Sequence, residues 1–154
     1  MHQNYLLLTR RRVLLTAAGA GLASLAPAAE ATEAAMTEAI RQLIGEAPLE
    51  PGKVKLELPS IVENGNTVPL TVSIDSPMTE ADHVESIHIF NQKNPQPFVA
   101  AVHLGPRAGK AGFSTRIRLA DSQNVVAIAE LSDGSLWSDT VEVIVTIAAC
   151  LEYN

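Results

Sequence analysis

Cys150 is the only cysteine of this sequence, and its chemistry and position make it the most informative residue. A thiolate is nucleophilic and oxidisable, so a cysteine can hold a sulfur species covalently or form a disulfide. A single cysteine excludes a disulfide within the chain and any metal site built from several thiolates. Because chain termini are usually accessible, we expect a thiol this close to Asn154 to be reachable. On a short tail it could enter the active sites of other proteins, as a covalent carrier does.

Other residues that could do chemistry are few. His83, His88 and His103 lie in or beside predicted strands, and the last two alternate with apolar neighbours. We therefore expect His88 and His103 to point to solvent or to a partner; if neighbouring strands brought them together, they could hold copper. The sequence contains no nucleophile turn, no glycine-rich phosphate loop and no calcium-ligand spacing. We expect no catalytic residues, no cofactor and no resident metal.

The first 28 residues have the layout of an export signal. The three arginines at 10–12 are followed by an apolar run rich in alanine and glycine, and the pair of arginines matches the pattern read by the twin-arginine (Tat) machinery. Cleavage after Ala28 or after Ala31 would leave the mature protein in the periplasm and off the membrane. The apolar run is at the lower limit for spanning a bilayer, so an uncleaved anchor is the alternative.

Composition describes a folded, acidic protein. The chain has 154 residues, of which 47% are hydrophobic, and its formal net charge is -6. This length suits one domain, which we place at residues 29–147, followed by a cysteine-bearing tail at 148–154. Binding of nucleic acid depends on clustered Lys and Arg, and no such cluster follows residue 12. We therefore expect no nucleic-acid partner.

The remaining pattern predicts one helix and then strands. Thr37 is a plausible N-cap, and Gly45 ends the helical periodicity. Asp133-Gly134 is a strong hairpin signal, and Trp137 beyond it belongs in the core or, alternatively, at an interface. The expected strands lie at 53–58, 67–74, 84–91, 98–104, 112–119, 125–131 and 136–147. We predict an all-β fold, an immunoglobulin-like antiparallel β-sandwich of about seven strands with one N-terminal helix packed on one end.

These features together resemble one protein family. The Tat signal, the helix containing residues 37–40 and a last strand that runs into a near-terminal cysteine are similar to SoxY, a subunit of the periplasmic Sox system for thiosulfate oxidation. The segment 87–100 and the residues 133–137 also resemble that family. The likeness covers nearly the whole mature chain.

The resemblance implies a function. SoxY is a sulfur carrier that pairs with SoxZ, and a haem c enzyme joins thiosulfate oxidatively to its terminal cysteine. Partner enzymes then hydrolyse off sulfate and oxidise the remaining sulfur while it stays attached. By this resemblance Cys150 is the site of covalent attachment, the protein is a carrier and not an enzyme, and its partners are a SoxZ-like subunit, periplasmic sulfur-oxidation enzymes and sulfur anions.

The tail differs from the SoxY pattern. SoxY typically ends in Gly-Gly-Cys-Gly-Gly, whereas here two alanines precede Cys150, and Leu151 to Asn154 follow it. Alanine reduces backbone freedom relative to glycine, and the residues after the thiol add bulk. The alternative function is an exported immunoglobulin-like binding or subunit-interaction module, in which Cys150 is buried or forms an intermolecular disulfide.

Overall fold

The computed structural model describes residues 32–149, which form one helix and nine strands. The predicted signal peptide, Cys150 and residues 151–154 lie outside the described residues. The elements are α1 (Glu33–Ile44), β1 (Leu49–Pro51), β2 (Val54–Glu57), β3 (Ile61–Val62), β4 (Val68–Ile74), β5 (Val84–Asn91), β6 (Phe98–His103), β7 (Gly112–Ile117), β8 (Gln123–Leu131) and β9 (Leu136–Val145). All seven expected strands are present. Two further strands, β1 and β3, raise the count above the prediction.

The strands form two sheets. The larger has six strands in the order β1-β9-β8-β5-β6, with β3 also paired to β9, and the smaller has three in the order β2-β4-β7. The expectation of a purely antiparallel fold is wrong, because β1 and β3 both pair with β9 in parallel. The chain leaves β1 for the small sheet through β2 and returns in β3 to the same edge of β9.

The core lies between the sheets. In β4 the residues Val68, Leu70, Val72 and Ile74 alternate with exposed or half-buried neighbours, so one face of the small sheet is apolar. These residues pack in one cluster with the inward side chains of β5 and β8. Burial of this apolar surface is the main stabilising contribution, and it makes the fold a two-sheet β-sandwich. The immunoglobulin-like assignment stays a prediction.

The helix begins five residues earlier than the sequence predicts. Thr32 is the N-cap, and its side chain accepts a hydrogen bond from the N–H of Ala35 at 3.2 Å. Thr37, the predicted N-cap, lies inside the helix and donates its hydroxyl to the carbonyl oxygen of Glu33. The predicted end is confirmed, because Gly45 has a φ of 92° and donates its N–H to Arg41. Glycine adopts that conformation without strain.

Helix α1 covers part of the outer face of the large sheet, where Met36 packs with Phe90, Val126 and Ile128. The expectation that the helix packs on one end of the sandwich is therefore wrong. The outer face of β5 and β8 carries large apolar side chains that need a cover, and the helix supplies it. Within residues 32–149 no helix has both the length and the apolar character required to cross a membrane.

Candidate functional site

Strand β9, which leads to Cys150, is held along both edges. One edge pairs with β8 along most of its length. The other edge pairs with β1 at its start and with β3 at its end. Val143 is fully buried in the core. The backbone that precedes the cysteine therefore starts from a fixed strand.

Backbone hydrogen bonds continue beyond the end of β9. The N–H of Thr146 donates to the oxygen of Val62 at 3.0 Å, and Ile147 accepts from the N–H of Gly65 at 2.8 Å. The N–H of Ala149 then donates to the oxygen of Leu119 at 3.1 Å, and the Ala149 side chain is buried, with 8% of the residue exposed. Ala149, the second residue of the predicted tail, is therefore held by the body of the protein.

Gly65 is a residue of this site that the sequence analysis does not single out. It lies in a local turn, in which the side chain of Asn64 accepts a hydrogen bond from the N–H of Asn66 at 2.9 Å. The additional role comes from contacts with Leu119 and Ile147, which lie far away in the sequence. The only local signal is the Asn-Gly-Asn triplet, which indicates a turn and nothing more.

His88 is buried, so the prediction that it faces solvent or a partner is wrong. It lies on the outer face of β5 with 8% of its surface exposed. Its ring lies 6.5 Å from those of Phe90 and Phe98 and 6.2 Å from that of His103, measured between centroids. Alternation places His88 on the outward face correctly, but the large side chains around it remove it from water. His103 is exposed, as predicted.

A short hydrogen-bond chain ends at His88. Ser86 donates its hydroxyl to Glu130 at 3.2 Å, and the Nε2 atom of His88 lies 2.9 Å from the same hydroxyl oxygen. Since a serine has one proton to donate, His88 must supply the hydrogen of the second bond through Nε2. Its Nδ1 atom is buried without a partner among the described residues.

The surroundings of His88 favour the neutral form of its ring. Burial lowers its pKa from the usual value of 6.5, the neighbouring His103 lowers it further, and Glu130 acts in the opposite direction. A buried imidazolium would lose its hydration and would place a second N–H at the unpartnered Nδ1.

A copper site would need His88 and His103 to lie together and further ligands to complete the site. Adjacent strands do bring His88 and His103 together, with their rings in an edge-to-face arrangement. Over residues 32–149, however, no three or more His, Cys, Asp or Glu side chains form a group that could hold a metal ion. His83 lies on a different part of the fold, where its backbone N–H donates to Ser132. The expectation of no resident metal stays a prediction.

Trp137 is half-buried and packs against the main core. Its Nε1–H donates to the hydroxyl of Ser135 at 2.9 Å, and the Nζ of Lys53 lies 4.8 Å from the ring centroid. The hairpin that precedes it is confirmed, with Gly134 at a φ of 79°. The contact with the core agrees with the favoured prediction, which places Trp137 in the core.

Comparison with known proteins identifies what the chain is similar to. Its sequence matches the family model described as sulfur oxidation protein SoxY over residues 40–150. Among solved structures it is similar to the sulfur carrier protein SoxY from Chlorobium limicola f thiosulfatophilum, with 32% sequence identity and a TM-score of 0.63. That match covers 74% of this chain and 98% of the Chlorobium chain. No curated protein sequence matches significantly.

A second group of solved structures shares the fold alone. The superoxide reductase (neelaredoxin) from Ignicoccus hospitalis is 20% identical, with a TM-score of 0.55, and the match covers 61% of this chain and 80% of that one. A protein from Thermotoga maritima described as a putative superoxide reductase is also 20% identical, with a TM-score of 0.52 and coverage of 64% and 87%. At this identity the likeness extends to architecture and not to activity.

Proposed function

The chain belongs to the SoxY family, and from this premise we propose that it is a periplasmic carrier that holds sulfur intermediates covalently on Cys150. The substrate class is thiosulfate or another reduced sulfur anion, and the carrier presents the attached intermediate to partner enzymes. The single observation that supports this most strongly is that the family match extends to residue 150, the only cysteine of the chain.

The chemistry requires a thiolate and an external oxidant. In the loading step, the Cys150 sulfur forms a disulfide bond to the outer sulfur of thiosulfate, and the two electrons released pass to a haem c partner. In the next step, water cleaves the bond between that sulfur and the sulfonate group. Sulfate and two protons leave, and a persulfide anion remains on the carrier. Both steps use catalytic groups of the partners, so the protein acts as a carrier and not as an enzyme.

The contribution of this chain is to present one sulfur atom. β9 is paired along both edges and ends close to the attachment residue. The backbone bonds that follow extend this support to Ala149. A defined starting point lowers the entropic cost of placing the attached anion in a partner's active site, because fewer residues must be ordered on binding.

We further propose that the protein is exported to the periplasm and forms a heterodimer there. The paired arginines within 10–12 and the apolar run after them support export through the Tat pathway to the periplasm. A SoxZ-like subunit is the proposed heterodimer partner, on the strength of family membership. The tail departs from the glycine-rich SoxY ending, so the enzymes that load this carrier should accept the bulk of Leu151 and Tyr153 beyond the thiol.

Replacement of the thiol tests this function. In the source organism, a Cys150→Ala variant should abolish carrier-dependent oxidation of thiosulfate, because no other cysteine can take the sulfur. Lys110→Ala, a change at an exposed loop residue, is the matched control and should oxidise thiosulfate at the parental rate. Parental oxidation by Cys150→Ala, with the variant protein present at normal abundance, would contradict the proposal.

A further inference from the structure

The loop at Gly65 brings together three segments that are distant in sequence. Its N–H donates to the oxygen of Ile147 at 2.8 Å, and its carbonyl oxygen accepts from the N–H of Leu119 at 2.9 Å. The carbonyl oxygen of Leu119 in turn accepts from the N–H of Ala149 at 3.1 Å. The three bonds connect the β3–β4 loop, the segment after β7 and the chain that follows β9. We call this set of bonds the tail anchor.

Only glycine fits at position 65. A Cβ atom there would lie 2.4 Å from the oxygen of Leu119 and 2.9 Å from the nitrogen of Ala149. Both are backbone atoms, which cannot rotate away as the end of a side chain can. The φ of Gly65 lies outside the left-handed region, so any residue could adopt it. Glycine is therefore required because a side chain would not fit, and not because of its backbone conformation. A Cβ atom at this position would displace backbone atoms that form the tail anchor.

We propose that Gly65 is a positioning residue for the carrier, because it allows the tail anchor to hold the chain at Ala149. This inference rests on the proposed function of Cys150. Because Ala149 directly precedes the attachment residue, a partner enzyme that takes up Cys150 should approach this end of the sandwich or open the tail anchor.

The first test uses amide hydrogen exchange on the full-length protein without attached sulfur. A Gly65→Ala variant should raise the exchange rate of the Ala149 amide by at least about fivefold, the change expected when one hydrogen bond is lost. Amides in the centre of β8 should be unaffected. Gly105→Ala is the matched control, since a Cβ there has no neighbour within 4 Å among the described residues and the φ of Gly105 is ordinary. Equal protection of Ala149 in both variants would overturn the proposal.

The second test measures the reactivity of the Cys150 thiol and removes the tail anchor by a substitution at Ala149. Ala149→Pro deletes the N–H that bonds to Leu119, whereas Ala149→Ser keeps it. In the parent, the ratio of the rate with N-ethylmaleimide to the rate with a bulky maleimide should be higher at Cys150 than at free cysteine, because the tail anchor holds the preceding residue, Ala149, beside the body of the protein. Ala149→Pro and Gly65→Ala should each reduce that rate ratio by about fivefold, if one hydrogen bond holds the segment. A ratio equal to that of Ala149→Ser would overturn the proposal, even if Gly65→Ala failed to fold.

These measurements separate the anchor from the carrier function, because neither requires Cys150 to accept a sulfur substrate. If the anchor variants behave as expected and Cys150 never accepts sulfur, the presentation of the residue stands and the carrier proposal fails. If Cys150 accepts sulfur and the anchor variants change nothing, the carrier function stands and Gly65 has no positioning role.

Discussion

The carboxylate of Asp139 in β9 accepts a hydrogen bond from the backbone N–H of Leu56 in β2, with 2.8 Å between Oδ2 and N. This bond joins the two sheets, because β2 belongs to the three-stranded sheet and β9 to the six-stranded one. The strand that leads to Cys150 is thus fixed to its own sheet by the backbone ladder and to the opposite sheet by a side chain.

Removal of this bond should destabilise the protein. Asp139→Ala should lower the free energy of unfolding by about 1.5–3 kcal/mol, the range for a hydrogen bond to a charged group. The measurement is urea unfolding of the parent and the variant. Glu142→Ala, an exposed change on the same strand, is the control and should stay within about 0.5 kcal/mol of the parent. Equal effects of the two changes would show that the bond between the sheets adds nothing.

The two threonines near the helix start should differ in their effect on stability. Thr32→Ala removes the side chain that caps Ala35 and should cost about 1 kcal/mol. Thr37→Ala places a better helix former inside α1 and should be neutral or slightly stabilising. Thermal and urea unfolding of both variants distinguish them. A larger loss for Thr37→Ala would mean that the helix begins where the sequence pattern suggests.

The packing of α1 on the large sheet depends on Phe90, which is fully buried. Phe90→Ala should lower the free energy of unfolding by about 3–5 kcal/mol, because it leaves a cavity beneath the helix. Phe98, whose ring centroid is 5.7 Å away, is 38% exposed, so Phe98→Ala should cost less than half as much. Comparable losses in urea unfolding would contradict the assignment of Phe90 to the helix contact.

Stability should fall on acidification because of His88. Its pKa in the folded protein is below the usual 6.5, chiefly through burial, with His103 adding and Glu130 opposing. As pH falls through 6.5, the unfolded chain binds a proton that the folded protein does not, so the free energy of unfolding decreases. This contribution is fully present above 6.5 and is lost as pH approaches the folded value.

Urea unfolding at about pH 7.5 and about pH 5.5 measures this dependence. His88→Gln should weaken it, whereas His103→Gln should retain most of it, because burial is the first cause of the His88 shift. An unchanged pH dependence in His88→Gln would refute the assignment.

The seven longer strands could be predicted because alternation of apolar residues is a local property. β1 and β3 could not, since Leu49–Pro51 and Ile61–Val62 are too short to show a period and depend on β9 for their pairing. Their parallel direction follows from the path of the chain between the sheets. Thr32 and Thr37 are both good caps by type, and only the position of the helix distinguishes them.

The site was harder to predict, because its contacts join residues from different strands and loops. The sequence alone indicates Cys150 by its uniqueness and position. The burial of His88 depends on aromatic side chains from β5 and β6, which alternation along a single strand cannot reveal. The close approach at Gly65 depends on Leu119 and Ala149, and no local pattern reports a contact between such distant segments.

The most direct test of the carrier function is the intact mass of the protein purified from its native periplasm, measured before and after addition of reductant. We expect the untreated protein to carry added mass that matches thiosulfate or one or more sulfur atoms, to lose it on reduction, and to show it on the peptide that contains Cys150. An unmodified thiol in both samples would contradict the carrier function. A mass equal to two chains joined by a disulfide would also contradict it and would make Cys150 an intermolecular link.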